Sequence, residues 1–165
     1  MALLRRRTQF WGLLGWLLAS YATSAIGAFA TLTARSFYGA LDQPDWAPPS
    51  WLFGPVWTGL YTLMAIAAWL VWRNGGWREN KTALTVFITQ LLFNSLWSWL
   101  FFAWNIGAIA FVEIAIMWAL ILTTIMMFRR TNKIAATLLI PYILWVSFAA
   151  LLNLALWQMN PGILG

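Results

Sequence analysis

Five stretches of the chain run for about twenty residues or more almost without a charge, and roughly 20 helical residues are what it takes to cross a hydrocarbon core ~30 Å thick. They are Phe10 to Leu32, Trp51 to Trp72, Thr82 to Phe102, Asn105 to Phe128 and Ile134 to Trp157, each bounded by charges, Pro, Gly or Asn. In lipid a segment must satisfy its own backbone polar groups, which leaves helices or closed barrels. These runs are too long, and the loops too few, for the short alternating strands of a barrel. The sequence therefore predicts an all-α fold: one integral membrane domain over 1–165, a five-transmembrane-helix bundle with its termini on opposite sides. With 62% of the residues hydrophobic and 8% charged, too little polar surface is left for an ordinary soluble enzyme.

The net charge of +6 raises the question of nucleic acid. The basic residues, however, sit in short clusters between the apolar runs, so they read as topology signals and no nucleic-acid partner is expected. Arg5, Arg6, Arg7, Arg73, Arg78, Lys81, Arg129, Arg130 and Lys133 all fall on one side of the membrane, and Arg35 alone on the other. The positive-inside rule then puts the N-terminus in the cytoplasm, as in a bacterial inner membrane. The first loop, with Asp42 and Asp45, and the uncharged tail from Gln158 to Gly165 go to the opposite side. A competing view takes Arg5 to Arg7 and the first run as a cleaved signal peptide ending at Ala28-Phe29-Ala30, but that run is long for a signal region. The chain has no His and no Cys. Disulfides, thiol nucleophiles, zinc sites, imidazole bases and the usual axial haem ligands are thereby removed, so no metal site and no obligatory cofactor are expected.

The one substantial loop, Thr33 to Ser50, carries Pro44, Pro48 and Pro49, which favour an ordered path and suggest a lid. In the second run Phe53, Trp57 and Tyr61 recur at i, i+4 and i+8 and share one helix face. Packing explains such a stripe, and so does a ligand wall. Trp46 and Trp51 suit the headgroup belt as well as a binding site. Gln90 and Asn94 lie four residues apart in the third run, with Ser98 continuing the face. Amides turned to lipid are expensive, so they serve either as glue between helices or to orient a ligand. Trp97 and Trp99 read as packing or membrane-end aromatics. In the fifth run Pro141 should kink or loosen the first turns, while Tyr142, Trp145, Ala149 and Asn153 form a line in which small Ala149 leaves room beside large rings. Glu113 is the sole acid inside a run, placed either for packing against another helix or for transport. Gly107, Ala103, Ala108 and Ala115 permit close helix contacts without singling out a dimer face.

The run Trp46-Ala47-Pro48-Pro49-Ser50-Trp51-Leu52-Phe53-Gly54-Pro55-Val56-Trp57-Thr58-Gly59-Leu60-Tyr61 resembles the first loop and second helix of the TspO/MBR family, the bacterial tryptophan-rich sensory proteins and the mitochondrial translocator protein or peripheral-type benzodiazepine receptor. Gln90-Leu91-Leu92-Phe93-Asn94-Ser95-Leu96-Trp97 followed by Phe101-Phe102 resembles the family's third helix. Pro141-Tyr142-Ile143-Leu144-Trp145 with Ala149 and Leu152-Asn153 resembles its fifth. Three blocks in the right order cover about Ala30 to Asn160. The resemblance implies a five-helix bundle, usually a homodimer, with a pocket opened or closed by the first loop. It implies binding of porphyrins such as protoporphyrin IX and of synthetic isoquinoline carboxamides or benzodiazepines, and it places Trp57, Trp145 and Ala149 near the pocket. Cholesterol, bound by mitochondrial members, is not favoured here: the weak recognition pattern needs Tyr followed by Lys or Arg, and Leu152 to Gln158 has neither.

A porphyrin is a wide conjugated disc with carboxylates at one edge, so it needs ring faces, an apolar slot and donors near water. Trp46, Trp51, Phe53, Trp57, Tyr61, Tyr142 and Trp145 are the candidate ring faces; Asn94 and backbone N–H groups are the candidate donors, Ala149 is the space, and Asn153 extends the line of site residues. The expected function is a membrane receptor or carrier for protoporphyrin IX, haem or a related flat apolar molecule, serving transport, sensing or scavenging in a lipid setting. One alternative is light-dependent porphyrin degradation, with Trp57 and Trp145 as photochemical candidates; no acid–base constellation for dark catalysis is visible. The other is a structural or regulatory membrane partner.

Overall fold

The structure, a computed structural model, describes residues 3–32 and 34–165. Thr33, where the expected loop begins, and the side chain of Arg35, the one cation expected on the loop side, lie outside the described residues. Among the described residues five helical spans are long and apolar enough to cross a membrane, and the chain is an all-α integral membrane protein built as a five-span bundle. The first span is α1 (Arg6–Ala30) and a short α2 (Ala34–Ala40) lies in the loop after it. A 3-10 turn, Ser50–Leu52, leads into α3 (Phe53–Trp72). The third span is α4 (Gly76–Ser98), prolonged by a π-helical turn over Trp99–Ala103, and the fourth is α5 (Gly107–Thr131). The fifth divides into α6 (Lys133–Leu138) and α7 (Ile140–Met159), and α8 (Pro161–Leu164) follows.

Hydropathy and helicity do not share boundaries. The helix α1 starts four residues before the apolar run at Phe10, and α4 starts six before Thr82. Charged first turns remain helical at headgroup depth, so hydropathy finds the hydrocarbon slab and hydrogen bonding finds the helix. Pro141 acts through its missing N–H. Leu139 closes α6 with a tightened bond, its N–H donating to Ala136 O at 3.2 Å, and Pro141 then sits in the first turn of α7, where no donor is required.

The helix α1 packs on α3 and α4, α4 on α5, α5 on α6 and α7, and α6 on α3, which closes a ring. Lipid tails are as apolar as the interior, so close approach has to hold the ring together. Ala65, Ala67 and Ala68 of α3 are fully buried and permit that approach. Span five meets α3 mainly through α6 and hardly through α7. The two spans therefore diverge away from the α6 end.

At the α6 end the bundle is stitched shut. Asn80 Nδ2 donates to the carbonyls of Val71, Asn74 and Gly76 at 3.3, 2.6 and 3.2 Å, and its Oδ1 accepts from Thr131 Oγ1 at 3.1 Å, joining α3, α4 and α5. Gly75 and Gly76 make the α3–α4 turn at φ +91° and +70°, a region L side chains avoid. Leu4 N donates to Arg73 O at 3.0 Å and Trp69 Nε1 to Gln9 O at 2.8 Å, tying the N-terminal segment to the same end. Phe87 lies fully buried just beyond, stacked on Phe128 with centroids 5.7 Å apart. Among the described residues the opposite end shows no such plug, and a cavity opens there.

Candidate functional site

A cavity of about 410 Å³ opens where α3 and α7 diverge. The face of α3 that carries Phe53, Trp57 and Tyr61 forms one wall, and Trp145 and Ala149 of α7 form the facing one. The third side comes from Asn94, Trp97 and Ser98 of α4 and from Phe102, which the π-helical turn swings inward. Ser24, Gly27 and Ala28 of α1, with Thr31 just past its end, complete the ring beneath Tyr38 of the loop. The size falls within the ~300–1,000 Å³ usual for small-molecule sites.

The rings hold one another edge to face, the arrangement the aromatic quadrupole favours. Phe53 meets Trp145 at 6.0 Å and 71°, Tyr38 meets Phe53 at 5.4 Å and 81°, and Trp57 meets Tyr142 at 6.3 Å and 66°. Below them runs a chain of buried hydrogen bonds. The Tyr61 hydroxyl donates to Asn94 Oδ1, Asn94 Nδ2 donates to Tyr142 Oη at 3.0 Å, and the Tyr142 hydroxyl donates to Gln90 Oε1 at 2.7 Å. One amide thus binds α3, α4 and α7 together, and Asn94 is both glue and cavity floor. Trp145 differs from its neighbours. Its indole Nε1 is buried and meets no protein acceptor, while its ring lies on the cavity wall.

Of the residues named from sequence, Phe53, Trp57, Tyr61, Asn94, Trp145 and Ala149 come together on the cavity wall. Tyr142 is fully buried one layer behind it. Asn153 also lies behind: its Oδ1 accepts from Trp97 Nε1 at 3.0 Å and its Nδ2 donates to Gly107 O at 3.0 Å, so it sets the angle of the Trp97 ring. Trp46 is half-exposed with its edge on Phe148 at 5.8 Å, and Trp51 is 63% exposed; neither lines the cavity. The α1 residues, Tyr38 and Phe102 line it without having been expected to, and so does Trp97, which the sequence presents only as a packing or membrane-end ring. Ser24, Gly27, Ala28 and Thr31 do not stand out in sequence, because Ala22, Thr23, Ala25 and Ala30 around them are small as well.

The loop is pinned as a roof. Tyr38 Oη donates to Pro48 O at 3.0 Å, Gln43 Nε2 donates to Tyr38 O, and the Phe37 ring rests against Phe101 and Phe102. Asp42 N donates to Asn160 Oδ1 and Asn160 Nδ2 to Asp42 O, both at 2.8 Å, clamping the loop to the end of α7. Burial pushes the Tyr38 phenol above its ordinary pKa of 10.0. The bond to Pro48 is therefore intact below that pH and is lost only as pH rises through the elevated value. Asn160→Ala is expected to speed hydrogen exchange of the amides at 36–48 while those of the spans stay protected; unchanged exchange would show that the clamp is idle.

Glu113 faces the bundle interior from α5, 5% exposed, with neither carboxyl oxygen hydrogen-bonded to protein. Glu113→Gln keeps the shape and removes the ionisable group, so thermal unfolding should show an unchanged or higher Tm. A fall of several degrees would reveal that the carboxyl has a partner.

Fold and site together define a five-span membrane protein with an aromatic pocket. A profile of the TspO/MBR family matches residues 15–158, and the chain belongs to that family. The tryptophan-rich protein TspO of Chlorobaculum tepidum is 39% identical over 135 residues, 81% of this chain and 85% of that protein. A protein of the same name from Archaeoglobus fulgidus is 38% identical over 146 residues, 87% of this chain and 94% of its own length. The translocator protein of Ovis aries is 37% identical over 128 residues, 76% of each chain.

Proposed function

We propose that the chain is a membrane receptor or carrier that holds a porphyrin, protoporphyrin IX or haem, or a related flat tetrapyrrole in this pocket. The observation that carries the proposal is a cavity of about 410 Å³ walled by the rings of Phe53, Trp57, Tyr61 and Trp145, where the buried Trp145 indole N–H meets no protein acceptor. A flat conjugated ligand with an oxygen acceptor at its edge satisfies both features at once: it stacks on Trp57 and Phe53 and takes the Trp145 hydrogen bond. Membership of the TspO/MBR family supports the same ligand class and a homodimer. The charge bias between the two ends of the bundle supports a cytoplasmic N-terminus, with the roof loop and C-terminus opposite.

The test is a dark titration of reconstituted protein with protoporphyrin IX, following tryptophan quenching corrected for porphyrin absorption. Saturable quenching is expected, weakened at least about tenfold in the Trp57→Phe, Trp145→Phe variant. An unsaturable signal, identical in both proteins, would mean lipid partitioning and would overturn the proposal.

A further inference from the structure

With the roof clamped and the α6 end stitched, the cavity still reaches the protein surface between α1 and α3. Ala28, Gly54 and Thr58 line it and are exposed at the same time. Just below, the Tyr21 and Thr62 hydroxyls share a hydrogen bond of 2.7 Å across these antiparallel helices. Carrying that register toward the loop sets Ser24 opposite Thr58 and Ala28 opposite Gly54, so the seam above the bond is small on both sides. Thr58 lies eight residues into the span that opens at Ser50, about 12 Å down a helix rising 1.5 Å per residue. The gap therefore faces hydrocarbon as well as headgroups. Two of its hydroxyls are spent on their own helices: Thr58 Oγ1 donates to Gly54 O at 2.9 Å and Thr31 Oγ1 to Ala28 O at 3.0 Å, which leaves Ser24 as the one hydroxyl at the seam without such a bond. Apart from Ser24, what the seam shows to lipid is mostly small apolar surface, across which an apolar molecule passes without breaking a hydrogen bond between the helices.

We infer that the cavity exchanges its ligand with the bilayer through the α1–α3 seam, beneath a roof that stays in place. The inference rests on the proposed ligand class and adds that the ligand is the membrane-dissolved form, a flat lipid-soluble molecule arriving sideways. Narrowing the seam should then slow traffic in both directions. A lost contact in the pocket does the opposite to release and speeds it.

Gly54→Leu and, separately, Ala28→Leu test this in proteoliposomes, with protoporphyrin IX delivered from loaded vesicles and withdrawn into empty ones. No atom lies within 4 Å of a Cβ built at Gly54, so the first side chain has room; the second variant narrows the seam from the other helix. Both are expected to slow loading and release by about tenfold, as gating steps do. Asn160→Ala, which unclamps the roof, should leave both rates within about twofold. Normal rates in the two seam variants, or faster exchange in Asn160→Ala, would overturn the inference in favour of passage under the loop. Wild-type protein that fails to bind protoporphyrin IX saturably would instead overturn the ligand assignment, and the seam's role with it.

Discussion

Asn94→Leu is expected to lower stability by roughly 2–4 kcal/mol, the sum of two lost interhelical bonds and one stranded buried phenol. The magnitude comes from geometry. Asn94 accepts from the Tyr61 hydroxyl and donates to Tyr142 Oη, and all three groups are buried. Interhelical hydrogen bonds in membranes average only ~0.6 kcal/mol each, because an unfolded segment in lipid finds other partners. The larger share comes from Tyr61, whose hydroxyl would face leucine with nothing to accept its proton. Tyr142 is spared, since it still donates to Gln90 Oε1 at 2.7 Å. Adding Tyr61→Phe to Asn94→Leu should therefore recover part of the loss, because removing both partners of a buried bond is far milder than removing one. Denaturation in a single detergent, run as a double-mutant cycle, measures this. A single-variant loss below about 1 kcal/mol with no rescue would show that the chain of phenols and amides does not hold α3, α4 and α7 together.

That network marks the limit of what the sequence made legible. Spans follow from hydropathy because lipid imposes a length, and the polar residues inside them stand out because lipid makes them costly. The same solvent hides orientation. A soluble helix reveals its buried face by contrast with water, whereas on α1 Leu18 and Phe29 face outward and Trp16 faces inward with no polar side to tell them apart. The α1 wall of the cavity therefore went unseen. Tyr142 and Trp145 show a second limit. Three residues apart on one helix, they diverge by about 60° at 3.6 residues per turn, enough to send Tyr142 into the core and Trp145 onto the cavity wall. The break at Leu139 sets that rotation, and no residue spelling fixes its angle. Phe102 depends on the π-helical turn at Trp99–Ala103, an irregularity without a composition signature. In the loop, the clamp to Asn160 crosses more than a hundred positions and leaves no local trace in the sequence.

Trp145→Phe should move binding and stability in opposite directions. A side chain kept mainly for packing moves both downward, so the sign separates the two roles. The indole N–H meets no protein acceptor, and phenylalanine removes that donor while retaining a ring against Phe53, now at 6.0 Å. The expected result is an unchanged or higher Tm without ligand. With protoporphyrin IX the same change removes the donor that the proposed binding mode uses. A hydrogen bond to a charged acceptor contributes ~1.5–3 kcal/mol, so affinity should fall by about ten- to a hundredfold. Octaethylporphyrin, a disc of similar faces without carboxylates, should lose little. If both porphyrins weaken equally, Trp145 serves as a ring face alone and the acceptor at the ligand edge has to be abandoned. The same variant addresses the photochemical alternative. At matched occupancy under illumination, loss of porphyrin breakdown in Trp145→Phe would make the indole a participant in the reaction. Equal breakdown in both proteins would leave it as a hydrogen-bond donor that positions the ligand.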